Sequence, residues 1–485
     1  MRRIAPALAV PAFAVLALLG AGLHAAAQGQ AEQQLDAALA RLRAALPAGT
    51  TLEIRERSVE PVTGTATLRG VSMTGGNNLL TVREVVLRGV AADRLAAGEA
   101  RDLRLGERTG NNSLTAERLD LSGLVLPAPG TPFDWTTISL DAGTLEGMAM
   151  AHPSDGGRAA LRRLAVRDWG HGRTGSAEGE GLVLHVSTPE HGMADVSLGR
   201  VALAGVDVAA TAVAIRDGVM PTMRPGMPEQ SIEARELSVG LGGDPLVAIG
   251  TLRLAGGVDP VRPGAESGRL TLEGVTVDPP AGADGQRPEL LGYKRIRGGV
   301  SMAARGEENG RRITVEPLQI DVADAGRLTL AAQFQNLPPR DAGTPLDPMA
   351  RMAAMQQAQL VSMSLRYEDA GLAPRVLASQ AGSAGMPEPQ FRQAMADLAL
   401  NTPLPGQPAP AAPLSKNGGP AAAPAGATAA ERAVRQALAS FVQRPGVLEI
   451  TLRPSRPLQL DQLAVVMMTD PGGPVQALGL TATAR

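Results

Sequence analysis

The chain has 485 residues, with 46 basic and 48 acidic side chains, a formal net charge of −2 and no cysteine. Disulfides, thiolate metal sites, cysteine nucleophiles and a lipid-bearing N-terminal cysteine are therefore excluded. Balanced charge gives no chain-wide attraction to phosphate, and two Trp, two Tyr and five Phe are too few for a base-stacking platform, so no nucleic-acid partner is expected.

Met1-Arg2-Arg3 is a short positive start. Ile4 to Leu23 carries no charge, and Ala25-Ala26-Ala27 offers small residues for a signal peptidase. This is the pattern of a secretory signal peptide over 1–27, cut before Gln28. The rival reading is an uncut anchor, with membrane association through residues 4–23, because twenty apolar residues just suffice to span. Either way the remainder is expected in the periplasm or cell envelope, where ATP and NAD are not supplied.

Residues 28–48 form an N-terminal helical segment. Leu35, Leu39, Leu42 and Leu46 fall on one stripe of a helix over Ala31 to Leu46, ended by Pro47 and Gly49. From 49 to 345 short alternating runs take over, such as Leu119-Asp-Leu121 and Leu182-Val-Leu184-His-Val186, which is the strand pattern. A unit of Leu-x-Gly followed by Val, Leu or Met recurs at Leu68, Leu87, Leu121, Leu145, Leu203 and Leu272. Its spacing is too irregular for a fixed-period solenoid. Apolar residues change parity across each glycine: Leu119 and Leu121 before, Leu124 and Leu126 after. A straight strand would turn the second pair to the other face. A β-bulge repairs this, as does a two-residue hairpin turn. Bulges are the preferred reading, because hairpin arms of three residues would be short. The expected fold is mainly β: a long curved antiparallel sheet of many short strands with a mixed α/β C-terminal part. One face is apolar, and the other carries Arg118, Asp120 and Thr271.

The mixed region spans 346–400, with helices at Met349–Gln357, Leu372–Gln380 and Gln390–Leu400 and a strand at Leu360–Tyr367. Residues 401–428 are a flexible insert rich in Pro and Ala. The final part, 429–485, reads as a helix over Glu431–Val442, a strand over Val447–Leu452, a helix over Leu460–Met468 and a last strand over Leu478–Ala484.

No catalytic, cofactor or metal residue is assigned. Gly170-His-Gly-Arg-Thr-Gly175 matches a dinucleotide fingerprint in letters, yet a second strand, not a helix, follows it. His152, His171, His185 and His191 cluster without ligand spacing. Glu307-Glu308 precede Asn309-Gly310 and read as a solvated turn. Ser176 and Ser383 miss the nucleophile-elbow spacing. Trp135 and Trp169 read as packing residues. Met349, Met352 and Met355 read as core, with an adaptable apolar binding surface as the alternative.

The Leu-x-Gly-Val units, the export or anchor segment and the β-rich body over residues 50–335 resemble AsmA-like envelope proteins. Phe441-Val-Gln-Arg-Pro-Gly-Val-Leu-Glu-Ile-Thr-Leu-Arg-Pro454 and Leu365-Arg-Tyr-Glu-Asp-Ala-Gly371 are similar to segments of related uncharacterised exported proteobacterial proteins. The first resemblance implies a sheet groove holding lipid acyl chains, with no catalytic motif to carry over. The chain departs from that pattern in its shorter body and cleavable signal. The functional expectation is an exported, non-enzymatic protein that binds lipid on an apolar concave sheet. The alternatives are an envelope scaffold for a protein partner and, last, a hydrolase.

Overall fold

The computed structural model describes residues 28–459, 462, 475 and 478–485, apart from 47–48, 91–93, 108–112, 126–137, 153–156, 171, 189–191, 218–228, 260, 263, 280–290, 309, 338–356 and 402–427. The expected signal segment, the Met349–Gln357 helix, the Pro/Ala-rich insert and the Leu460–Met468 helix lie outside the described residues. The architecture is mainly β: a long antiparallel sheet followed by a C-terminal region with several helices. The chain divides into two compact units that change over near Pro245.

The first unit opens with helix α1 (Gln28–Ala45) and continues as a meander. Its strands are β1 (Thr50–Val59), β2 (Ala66–Gly75), β3 (Asn78–Val90), β4 (Arg94–Glu107), β5 (Ser113–Val125), β6 (Leu140–His152), β7 (Gly157–Trp169), β8 (Gly175–Thr188), β9 (Gly192–Val206) and β10 (Gln230–Leu241). Each pairs antiparallel with the next. Helix α2 (Val208–Asp217) interrupts the meander where the sequence pattern suggested only strands. Its Val208, Ala209 and Ala214 are buried. Short Ala and Val side chains fit either period, and the cap on Asp207, described below, decides for helix.

The strands are long, and all six Leu-x-Gly glycines lie within them rather than at hairpins. Gly70, Gly89, Gly123, Gly147, Gly205 and Gly274 all have φ between 59° and 71°. The hairpin alternative is thereby excluded. The expected bulge occurs at Gly205, where Gly175 faces Val206 and Ser176 faces Ala204, but not at Gly70. Leu68 faces Val85 and Val71 faces Val82, so the pairing runs through Gly70 with no added residue. The neighbour changes parity at the same level instead.

These kinks line up across the unit. By register, Gly70 lies opposite Arg83, then Asp102, Glu117, Gly147, Arg162, Gly181, Gly199 and Glu236 follow strand by strand. Left-handed φ occurs in every second strand of that row, at Gly70, Asp102, Gly147, Gly181 and Glu236. A second row places it in the intervening strands, at Gly89, Gly123, Asp168 and Gly205. Each row is a crease that turns side-chain parity over in all strands together. Leu119, Leu121 and Leu124 consequently share one buried cluster at 0, 3 and 0% exposure.

Beside the first crease, on the outer face, runs a ladder of charge: Glu56, Arg69, Glu84, Arg101, Arg118, Glu146, Arg163, Glu180, Arg200 and Arg235, each opposite the next. Opposite signs meet at most steps. Where Arg101 faces Arg118, Glu99 of the next row lies 2.7 and 3.4 Å from the two, and Asp120 lies 2.8 Å from Arg118. Arg200 and Arg235 also face each other, and pair with Glu178 and Glu233. Each exposed pair contributes little alone. The ladder specifies register, because a slip of one residue would set these charges against the leucine rows.

The second unit continues with β11 (Asp244–Val258), β12 (Glu266–Val277), β13 (Ile296–Glu307), β14 (Arg312–Val322), β15 (Gly326–Gln335) and β16 (Gln359–Asp369), again antiparallel in order. Here the register does shift, between Leu272 and Val275 for instance, so bulges in the expected sense occur. Helices α3 (Leu372–Ser383), α4 (Glu388–Asn401) and α5 (Ala429–Gln443) follow, with strands β17 (Val447–Leu452), β18 (Leu458–Gln459) and β19 (Leu480–Ala484). β16 pairs with β17 and β18, and β17 with β19. Thr428 caps α5 in a reciprocal box with Glu431.

The creases make opposite predictions for glycine and non-glycine positions. Gly123→Ala forces a left-handed alanine whose Cβ would run into the Asp141 carboxylate. It should cost about 1–2 kcal/mol in urea unfolding. Glu236→Gly relieves the same strain at φ 56° and should stabilise by up to about 1 kcal/mol. A stabilising Gly123→Ala would refute the crease.

Candidate functional site

The inner face of the first unit is aliphatic over β2–β10, but its cover changes along the sheet. One row runs Leu68, Val85, Ala100, Leu119, Leu145, Leu164, Gly179, Val201 and Ala234. Its first five members are 0–3% exposed. Leu164, Val201 and Ala234 are only half-buried, as are Leu182, Leu184, Leu198 and Leu203. Trp169 packs at the margin of the sealed cluster, in keeping with its expected packing role. Trp135 lies outside the described residues.

In the second unit an apolar row joins Leu252, Leu272, Val300, Ile320, Leu328, Tyr367, Leu448 and Ala484. All are half-buried, and Leu254 beside them is 45% exposed. Helix α5 covers the β17–β19 end, where Val434 and Ala437 pack with Ile450 and Ala482. Among the described residues, the packing of α3, α4 and α5 is chiefly with each other and with β17 and β19. The C-terminal helices therefore cap one end of this face and leave the described β11–β15 stretch open.

Among the described residues, several polar groups hold turns and helices in place. The glycine-rich turn joins β7 directly to β8, as the sequence suggested. Its anion-binding groups are already taken. Gly172 N–H donates to Asp207 Oδ2 at 2.7 Å, and Ala210 N–H at the start of α2 donates to Asp207 Oδ1 at 2.9 Å. Asp207 thus caps α2 and occupies the position a phosphate would need. Arg173 pairs with Asp168 at 2.7 Å and Asp141 at 3.0 Å. Its hydrogen bond to Asp141 leads the influences that push its pKa up.

Of the four clustered histidines, only His185 has a described side chain. Its Nδ1 lies 2.6 Å from Asp195 Oδ1. It borders an outer-face depression of about 340 Å³ floored by Thr115, Ala149, Ala160 and Val183. Ser113 lines the same depression, but three strands from His185 by register. That is roughly 14 Å at the usual strand spacing, too far for a nucleophile–base pair. Among the described residues no group of three or more His, Asp or Glu could hold a metal ion. Glu307 and Glu308 lie at the β13–β14 turn and share Arg312 at 3.5 and 3.4 Å. Ser176 lies in β8, and Ser383 hydrogen-bonds Ser379 O from the end of α3. Met349, Met352 and Met355 lie outside the described residues. No described helix is long and apolar enough to cross a membrane.

One joint in the second unit went unread in the sequence. Tyr367 Oη is 3.0 Å from Ala325 O and 2.9 Å from Asp369 Oδ1. Asp369 also accepts from Gly371 and Ala373 N–H at the head of α3. Tyr293 donates to Asp324 O at 2.8 Å beneath the Arg375 guanidinium. Phe441 of α5 meets Tyr367 edge-on. Two of the few aromatic residues thus tie the sheet to α3 and α5. A family model described as an uncharacterised protein matches residues 319–485, about a third of the chain, and includes most of this joint. No curated protein matches the chain.

Burial first, and then the Asp369 hydrogen bond, raise the Tyr367 pKa above its ordinary value. A raised acid is held neutral by the fold, so its stabilisation is full below pH 10 and is lost as pH rises through the folded pKa. In an absorbance titration at 295 nm, the difference between wild type and Tyr367→Phe should rise well above pH 10. A midpoint near 10 in folded protein would show the joint is not formed.

Proposed function

We propose that the protein is an exported, periplasmic, non-enzymatic binder that holds lipid acyl chains along its half-open aliphatic face. The observation that carries this reading is the contrast in cover. Leucine and valine rows of one chemistry are sealed over β2–β6 and left half-exposed over β8–β10, and the β11–β15 rows of the second unit are open likewise. Large unpaired apolar surfaces on exported proteins mark binding sites. The rows cited present branched aliphatic side chains, with Tyr367 the sole aromatic and no formal charge, which suits hydrocarbon and offers little to a sugar or a nucleotide. The Met1–Ala27 pattern supports export, and the resemblance to AsmA-like proteins supports the ligand class.

The test is native purification followed by lipid extraction and mass spectrometry, with Leu198→Glu and Leu272→Glu as variants. Phospholipid or free acyl chains should accompany the wild type and fall several-fold in both variants, since a buried carboxylate opposes hydrocarbon. Lipid-free protein that still captures one envelope protein would move the assignment to a scaffold. Turnover of an esterase or glycosidase panel would overturn both.

A further inference from the structure

We infer that helix α1 is a displaceable lid that competes with an acyl chain for the inner face of the first unit. This rests on the reading above and adds a means of control to the same site. The row from Leu68 to Ala234 has one register and one chemistry, so hydrophobicity does not explain why only its first half is sealed. Helix α1 contributes to the cover at that end. Its Leu35, Ala38 and Leu39 are 3, 1 and 2% exposed within the same cluster as Leu68 and Leu119.

The attachment is slight. In β1 the inner position opposite Leu68 is Arg57, and its guanidinium meets Asp36 of α1. Both partners of this latch are half-exposed, and such pairs contribute little. An inward charge on β1 also discourages edge pairing. The helix has no acidic residue in its first turn, and eighteen residues of ordinary composition are marginal as an isolated helix. Release therefore unfolds α1 and exposes three apolar side chains without breaking a strand pair. The apolar side chains it covers at the β1 end then add to the inner face available to an acyl chain.

The absence of cysteine gives a clean experiment on the full chain. The Asp36→Cys/Arg57→Cys variant is joined by a short bis-maleimide, and binding of bromine-tagged dodecanoate is read by quenching of tryptophan fluorescence, with Trp169 at the margin of the cluster. Cross-linked protein should bind about fivefold more weakly, or more so, than the same variant left unjoined. Equal binding in both forms overturns the lid and leaves the acyl-chain reading standing. If neither form binds, the acyl-chain reading fails and hydrogen exchange decides the lid. Amides of residues 28–45 exchanging well ahead of β2–β5 support it. Exchange of both at one rate overturns it.

Discussion

A β-strand sends successive side chains to opposite faces, and everything in the first unit follows from how this chain breaks that rule. Parity switches at two creases shared by neighbouring strands, and at each crease left-handed residues stand in alternate strands. Because adjacent strands switch at the same level, pairing continues in register across the first crease, with a bulge at Gly205 on the second, and Leu119, Leu121 and Leu124 stay on one side despite their odd spacing. The outer face holds the register in place. Its ladder from Glu56 to Arg235 is charged at every step, and like-charged steps are each relieved by an acid from the adjoining row.

The two faces divide the work. The outer one of the first unit is cross-linked by short ion pairs. Within each unit the inner rows are mostly hydrocarbon, with Arg57 the exception on β1, and what distinguishes their regions is cover rather than composition. Helix α1 and dense packing seal β1–β6, and helix α5 seals the β17–β19 end of the second unit. The rows over β8–β10 and β11–β15 are only half-buried, with α2 packed against β7 and β8. Among the described residues, Asp207 builds a joint at α2, and Tyr367 with Asp369 builds one at α3.

Much of the strand region was legible because glycine marks a backbone requirement directly. All six Leu-x-Gly glycines take the left-handed conformation. Three equivalent positions escaped notice since they hold Asp102, Asp168 and Glu236. Aspartate reaches that conformation at modest cost, and Glu236 is tolerated with a glycine, Gly199, beneath its side chain. The irregular spacing of the glycine units also hid a regular pattern. Loops of unequal length separate residues that register places side by side, so periodicity in sequence was lost while periodicity in space was kept. The α3, α4 and α5 segments were readable from helical spacing. Helix α2 was not, because its start depends on a carboxylate shared with a turn 35 residues earlier.

The sequence by itself determined the β character, the kinked strands and the segregation of aliphatic from charged side chains. Those depend on local backbone preference and on alternation within a few residues. Only the tertiary structure decided that the kinks align into creases, that the glycine-rich turn is already filled by Asp207, and which part of the apolar face is covered. Each of these requires residues from separate strands or helices to meet, and no local pattern encodes that meeting.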